Sequence, residues 1–203
     1  MDASQALNNA KINKDRATSK YYKDYQGFAT LSHSPKFKLS TETTFFTIGS
    51  CFARNIEFYM TRKKIPFLSK VPLVDGEHFK MGGSPRAGYQ NVYTPGAVLE
   101  ASRLILRDDP NFGITEVEGL HYDLLTHGLK GLEIETAKEI RQGLIETYEN
   151  LDKSDVVIIT LGFIEAWYHD PSKAWVNQSP ADPKLRKIAE EFSFEVLNEN
   201  ETL

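Results

Sequence analysis

A chain of 203 residues, 40% hydrophobic and 26% charged, can bury one sizeable core, so we expect a single α/β domain. Its formal net charge of −4 argues against the broad basic surface that nucleic acid or anionic lipid would need. One cysteine, Cys51, excludes an internal disulfide and a cysteine-based zinc site.

Residues 1–40 come before the first patterned segment, and we expect them to form an N-terminal arm. Only its aromatic residues could dock on the domain: Tyr21, Tyr22, Tyr25 and Phe28. The arm has no apolar run of the length of a signal peptide, and the chain has no uncharged apolar stretch of about 18 residues. These features predict a cytoplasmic protein that does not enter a membrane.

Residues 43–64 predict a strand, a tight turn and a helix. TTFFTIGS is rich in β-branched and aromatic residues and ends in Gly-Ser. In the following CFARNIEFYMTRKK, helical spacing predicts an apolar face with a basic last turn, formed by Phe52, Ile56, Tyr59, Met60 and Lys63. Ser50 would stand at the turn, and we expect Cys51 to be a small buried residue in the first helical turn.

The next segment, DGEHFKMGGSPRAGYQNVYTP, has four glycines and two prolines in 21 residues, which predicts a long loop. Loops of this length are typically either functional or disordered. Pro95 can open a helix that ends before Asp108-Asp109-Pro110. The predicted inner stripe of this helix is Leu99, Ser102 and Leu106.

Three further elements complete the pattern. FGITEVEGLHYDLLTHG predicts a hairpin around Glu118-Gly119, and roughly Glu135 to Leu151 predicts a helix. The segment Asp155–Gly162, DVVIITLG, is apolar on both alternating faces, which is typical of a central parallel strand covered by helices on both sides. Gly49-Ser50 and Gly162 would then meet at the carboxyl edge of one sheet, where open α/β folds place ligands.

The chain ends with EFSFEVL, a strand pattern, followed by Asn198 and, three residues later, Glu201. This spacing is typical of the start of a helix. We therefore expect that the C-terminal part of the domain is missing from this sequence.

Ser50 has two interpretations on local pattern alone. As a nucleophile, a serine hydroxyl needs a base within hydrogen-bond reach and donors for the developing oxyanion. The N–H of Ser50 and the amides of the following helix could supply those donors. Serine is also a preferred N-cap, so Ser50 could instead serve only to begin the helix.

IGSCFAR at Ile48–Arg54 resembles the signature of the GSCFA family, and the stretches PKFKLSTETTFFTIGSCFA, QNVYTP and ITLGFIEAWYH look similar to that family too. The resemblance implies the SGNH/GDSL hydrolase superfamily and, over residues 41–203, its three-layer flavodoxin-like α/β fold with a parallel sheet. Members use the serine of the first block to attack acyl esters, often on carbohydrates.

The resemblance also implies residue roles. Ser50 matches the nucleophile, and the Gly49-Ser50 turn and the Asn91 side chain match the oxyanion site. Gln90 stands where the family pattern has glycine, and Asn91 could instead satisfy its own turn. Gly162 matches the third block, where a missing Cβ lets substrate or backbone approach.

The general base is the least apparent residue, because the Asp-x-x-His block of the superfamily is absent from this chain. His169 follows Glu165 by four residues, so a helical turn would bring the two to one face as a substitute pair. Glu165 could orient that histidine, contact a sugar hydroxyl or hold the loop. A surface position for His169 is the alternative.

Two functions follow from these observations. The first is a serine hydrolase or acyltransferase acting on small-molecule or carbohydrate esters. The second is a non-catalytic carbohydrate-binding domain that uses Trp167, Tyr168 and Trp175 as stacking surfaces. We expect no cofactor, and no metal because the histidines lack ligand spacing. Nucleic acid and membrane are not expected partners, and the oligomeric state stays open.

Overall fold

The computed structural model describes Gln5 and residues 36–198, so the predicted arm up to residue 35 and the helix predicted after Asn198 lie outside it. In chain order the elements are β1 (Phe45–Gly49), α1 (Cys51–Lys63), α2 (Pro95–Ser102), β2 (Ile114–Val117), β3 (Leu120–Asp123), α3 (Ile134–Tyr148), β4 (Val156–Thr160), β5 (Glu165–His169), β6 (Ala174–Val176) and β7 (Phe192–Val196). Short 3₁₀ turns occur at Gly76–His78, Gly88–Gln90, Leu104–Leu106 and Leu185–Glu191. Among the described helices, none is long and apolar enough to span a lipid bilayer.

The strands form three small sheets in a mixed α/β arrangement. β1 and β4 pair in parallel, β2 and β3 form the predicted hairpin, and β5 lies between β6 and β7 in an antiparallel sheet. The hairpin turn, Glu118-Gly119, has positive φ at both residues (55° and 78°), as a two-residue type I′ turn requires.

The predicted central position of β4 is wrong for the part of the chain that the structure describes. There β4 pairs only with β1, and Val157 and Ile159 on one of its faces are exposed at 43% and 52%. The apolar residues of β4 are typical of a strand that is covered on both faces, but the residues that the structure describes cover only one of these faces.

Helix α1 lies where the sequence predicts it, but its buried face differs from the prediction. Phe52 and Tyr59 are exposed, and Cys51 is exposed rather than buried. The buried positions are Ala53, Glu57 and Met60. A helical pattern that counts only apolar residues misses this face, because a charged residue lies in its centre.

Polar side chains hold that charged residue beneath β1. The Glu57 carboxylate accepts hydrogen bonds from the hydroxyls of Thr47 and Ser69, and Arg54 Nη1 lies 3.2 Å from Glu57 Oε1. Arg54 Nη2 also donates to the Thr47 carbonyl at 3.2 Å. The network fixes α1 against β1 and thereby fixes the corner between them.

The other two helices meet the core differently. In α2 the predicted stripe is wrong, because Leu99 and Leu106 are exposed and small residues such as Gly96 are buried. The ring of Trp175 packs so closely on Gly96 that an added Cβ would lie 2.4 Å from it. For helix α3, helical spacing in the sequence predicts an inner stripe of Ala137, Ile140, Leu144, Tyr148 and Leu151. The first four are buried, whereas Leu151 lies beyond the end of the helix and is half-buried.

A buried ion pair joins α3 to β3. Arg141 is 1% exposed and Asp123 is 3% exposed. Arg141 Nε donates to Asp123 Oδ2 at 2.9 Å, and Nη2 donates to Oδ1. Arg141 Nη1 donates to the Phe112 carbonyl at 2.8 Å. The forked contact satisfies both charges inside the core.

Candidate functional site

The corner between β1 and α1 is built on Gly49. Its φ of 145° lies where residues with a Cβ are strained, and a Cβ there would lie 2.1 Å from Thr160 Oγ1 and 2.5 Å from the Thr160 carbonyl oxygen. Glycine therefore lets β1 and β4 end side by side before the chain turns into the helix. The corner places Ser50 at the amino end of α1, as predicted.

Ser50 is 2% exposed, and its hydroxyl, N–H and carbonyl all make hydrogen bonds at this corner. Its Oγ accepts a hydrogen bond from Phe52 N–H at 3.3 Å, so the predicted capping role is present. Its N–H donates to Thr160 Oγ1 at 3.3 Å, and its carbonyl accepts from Ala53 N–H at 2.9 Å. The Ser50 hydroxyl thus caps the amino end of α1.

Asn91 reaches the corner through backbone pairing. Val92 N–H donates to the Gly49 carbonyl at 3.0 Å, which places Asn91 next to Ser50. The Asn91 carbonyl accepts from the Asn177 side chain, and Asn91 itself is 7% exposed. Its Nδ2 lies 3.5 Å from the Tyr93 hydroxyl, whereas its Oδ1 is buried with no hydrogen-bond partner. An unsatisfied buried amide oxygen is costly, so this side chain can accept a partner.

Gly162 lies near the same corner, and of the two predicted alternatives it is a backbone group that approaches it. Its N–H donates to the Tyr93 carbonyl at 3.1 Å, and Phe163 N–H donates to the same oxygen at 3.0 Å. A Cβ on Gly162 would lie 3.3 Å from that oxygen. Gly162 therefore joins the end of β4 to the loop that carries Asn91, and its N–H is occupied.

A cleft of about 630 Å³ opens beside Asn91, within the 300–1,000 Å³ range of small-molecule sites. The predicted long loop supplies one wall, through Phe79, Lys80, Met81, Arg86 and Gly88, and residues 177–183 supply the other. Lys80 bridges the walls, since its Nζ lies 2.6 Å from Asp182 Oδ2 and 2.7 Å from Gln178 Oε1. The glycine-rich loop is thus an ordered wall of a binding cleft.

His127, which belongs to none of the family motifs described above, lines this cleft. Its ring centroid lies 4.8 Å from that of Tyr93, and its backbone N–H donates to the Tyr89 carbonyl at 2.9 Å. Among the described residues, none hydrogen-bonds to its ring nitrogens. Burial lowers the pKa of His127, and nearby Lys80 lowers it further, so the imidazole is neutral near pH 7. The only sequence signal was its position directly before Gly128, at the end of the predicted hairpin.

Glu165 and His169 do not share a helical turn, and that prediction is wrong. They begin and end strand β5, so about 13 Å separates their Cα atoms. The His169 ring is 1% exposed; its Nδ1 lies 2.8 Å from Ser172 Oγ and its Nε2 lies 3.1 Å from Glu191 Oε2. Glu165 is exposed. Neither residue lines the 630 Å³ cleft, and their catalytic roles stay predictions.

The aromatic residues of the predicted stacking surface pack on other aromatic residues. Trp167 contacts Phe194 edge-on at 5.0 Å between ring centroids, and Tyr168 contacts Trp175 at 5.1 Å. All three predicted residues are half-buried and none lines the cleft. No group of three or more His, Cys, Asp or Glu side chains in the described region could hold a metal ion.

The corner and the cleft define the class: a mixed α/β domain in which a serine begins the helix after a buried parallel strand, beside a ligand-sized cavity. The family model of the GSCFA family matches residues 44–203. The chain therefore belongs to the GSCFA family, as the resemblance of IGSCFAR predicts. No curated protein and no solved structure matches the chain.

Acid is expected to destabilise this fold through its two neutral histidines. Burial lowers the pKa of both His127 and His169, although Glu191 partly opposes the shift at His169. Unfolded histidines titrate near about 6.5, so below that pH the unfolded chain binds more protons than the folded chain. The stability from the neutral rings is present above about 6.5 and is lost as the pH falls towards their folded pKa values.

Urea denaturation at about pH 7.5 and 5.5 measures this effect as a decrease in the free energy of unfolding. The double variant His127→Gln/His169→Gln should show a flatter dependence over the same interval. If the free energy of unfolding of that variant falls with pH as steeply as in the unchanged chain, other groups cause the acid sensitivity.

Proposed function

We propose that this chain is an acyl-ester hydrolase or acyltransferase of the SGNH/GDSL type, with Ser50 as its nucleophile. The observation that carries the proposal is the position of Ser50 between buried β1 and α1. The Val92–Gly49 backbone hydrogen bond joins this corner to Asn91, which lines the cleft, whereas Ser50 itself does not. GSCFA membership supports it, because Gly49–Ala53 are the five residues of the family signature. The flavodoxin-like three-layer fold is part of the same proposal, supported by the parallel β1–β4 pair.

In the proposed reaction the Ser50 oxygen attacks the acyl carbon of an ester. The new O–C bond forms while the hydroxyl proton passes to a base, and the carbonyl oxygen becomes an oxyanion. Collapse of this intermediate breaks the ester bond, and the departing alcohol takes the proton from the base. Water then releases the acyl group in a hydrolase, or a second hydroxyl accepts it in a transferase.

Two donors near the corner could hold the oxyanion. The Ser50 N–H makes only a 3.3 Å bond to Thr160 Oγ1, which an acyl oxygen could replace. A half-turn of the Asn91 amide would let the Tyr93 hydroxyl donate to Oδ1 and would free Nδ2 as a second donor. Burial raises the pKa of Tyr93, which keeps that hydroxyl protonated. These contacts support the roles proposed for Ser50 and Asn91.

Two histidines are candidates for the base. His127 shares the cleft with Asn91 and has ring nitrogens with no hydrogen bond to a described residue. His169 is the histidine that the sequence selects, but its ring contacts Ser172 and Glu191. We propose His127 as the base, because a general base must hold a ring nitrogen free, and His127 does so in the cleft that Asn91 also lines.

Labelling with a fluorophosphonate probe tests Ser50. We expect the chain to react at Ser50, the variant Ser50→Ala to show no labelling, and Cys51→Ala to label like the unchanged chain. Ser50 is 2% exposed and its Oγ accepts from Phe52 N–H, so the hydroxyl must turn away from that N–H to react. The extent of labelling reports whether the hydroxyl can react with the probe. Equal labelling of the chain and Ser50→Ala, or no labelling of either, would remove Ser50 from the mechanism.

The same probe separates the two histidines. His127→Gln should slow labelling by about 100-fold or more, the usual contribution of a general base, whereas His169→Gln should change the rate little. The reverse result would assign the base to His169.

A further inference from the structure

Arg86 is held rigidly in one wall of the cleft. Its N–H donates to the Val74 carbonyl at 2.9 Å, and its carbonyl accepts from Val74 N–H at 3.1 Å. Its guanidinium carbon lies 4.2 Å from the centre of the Phe79 ring, and Nη2 donates to the Gly82 carbonyl at 2.6 Å. The backbone pairing fixes the residue and two side-chain contacts hold its guanidinium, which lowers the entropy cost of binding a ligand to it.

The charge of this guanidinium is not neutralised by the protein around it. Among the residues that the structure describes, no carboxylate forms an ion pair or a hydrogen bond with Arg86. The other cation of the cleft, Lys80, is paired with Asp182, and the neutral His127 ring adds no charge. The cleft thus carries one unpaired positive charge, although the chain as a whole is negative.

The free polar groups of the cleft are mainly donors, and the exceptions are Asn91 Oδ1 and the acceptor nitrogen of His127. Arg86 uses one N–H on the Gly82 carbonyl and keeps the rest of its fork, and His127 can donate from one ring nitrogen. The Gln178 side chain is occupied, since it accepts from Lys80 and donates to the Asp123 carbonyl. Donors in excess select a ligand rich in acceptor oxygens, and a planar guanidinium fork selects an oxyanion.

We propose that the cleft binds an organic anion of monosaccharide size, with Arg86 holding its carboxylate or phosphate oxygens. The volume of about 630 Å³ accommodates such a molecule, and the Phe79 ring and Met81 give it apolar surface. This inference rests on the proposed function and narrows its substrate class to acyl esters that carry an acidic group. Asn91, in the same cleft, would then meet the acyl group.

Calorimetric titration of the Ser50→Ala variant, in which no turnover is expected, tests the inference with three matched ligands: glucuronate, glucose 6-phosphate and glucose. We expect at least one anion to bind roughly tenfold or more tightly than glucose. The better anion identifies the preferred group, carboxylate or phosphate. Binding of glucose as tight as that of both anions, or binding of neither anion, overturns the inference.

Arg86→Gln should weaken anion binding by roughly tenfold or more, and Arg86→Lys should give an intermediate loss because the charge stays but the fork is lost. Arg62→Gln is the matched control, since Arg62 lies 5.6 Å over the ring of Phe58 on α1, outside the cleft. Equal effects of Arg86→Gln and Arg62→Gln would overturn the inference.

The two proposals fail separately. If the anions bind through Arg86 but Ser50 is not labelled, only the hydrolase proposal falls. If Ser50 is labelled and the anions do not bind, only the substrate class falls.

Discussion

Arg141→Met is expected to lower the free energy of unfolding by about 3–5 kcal/mol, the usual cost of leaving one partner of a buried ion pair uncompensated. The Asp123 side chain would lose its partner at a site that is 3% exposed. The Phe112 carbonyl would also lose its 2.8 Å donor. Urea denaturation followed by circular dichroism measures the loss.

Two variants serve as controls for Arg141→Met: one at an exposed ion pair of the same helix, and one that also replaces the partner Asp123. Lys138→Met breaks the exposed Lys138–Glu135 pair, and it should cost less than about 1 kcal/mol. The double variant Arg141→Met/Asp123→Leu should recover part of the loss, since no charge is then buried alone. A similar loss for Lys138→Met and Arg141→Met would show that burial does not determine the effect.

This pair also affects the cleft. The Asp123 carbonyl accepts from Gln178 Nε2 at 2.8 Å, and the Leu124 carbonyl accepts from the backbone N–H groups of Asn177 and Gln178. The strand that Arg141 anchors therefore supports one wall of the cleft. Weaker ligand binding in Arg141→Met would follow from a loosened wall, without any contact between Arg141 and the ligand.

Local patterns predicted the elements of this fold better than their burial. The strand at TTFFTIGS, the hairpin at Glu118-Gly119 and helix α3 follow from short-range rules of propensity, turn geometry and periodicity. The prediction of the buried face of α1 was wrong because Glu57 occupies a core position. Its burial is tolerated only because the hydroxyls of Thr47 and Ser69, which are distant in sequence, donate hydrogen bonds to its carboxylate. Such a contact cannot be deduced from helical spacing.

Some residues of the candidate site could likewise be predicted from local sequence, and others could not. Ser50 and Asn91 could be selected because they lie in the signature and in QNVYTP, and both occur at the corner. His127 and Arg86 could not be selected from the sequence. His127 follows the hairpin and is placed in the cleft by its backbone bond to Tyr89, and Arg86 lies in a loop whose path depends on pairing with Val74. His169 was selected because it follows Glu165 by four residues, and this spacing places two side chains on one face only in a helix.

Gly49→Ala is expected to lower the free energy of unfolding by about 3 kcal/mol or more, because two costs coincide. The residue would be strained at a φ of 145°, and its Cβ would lie 2.5 Å from the Thr160 carbonyl oxygen, which cannot move without disturbing the β1–β4 pair. The Ser50 N–H and Oγ would shift with the corner. Fluorophosphonate labelling should therefore fall even at temperatures where the variant remains folded.

Gly119→Ala separates the two costs. Gly119 also has a positive φ, 78°, but a Cβ there would meet no atom within 4 Å, so only the conformational cost of about 1–2 kcal/mol applies. If both variants lose the same stability in urea, close packing of β4 against the corner contributes nothing. A larger loss of stability for Gly49→Ala, accompanied by slower labelling, would show that the missing Cβ at Gly49 fixes the position of Ser50.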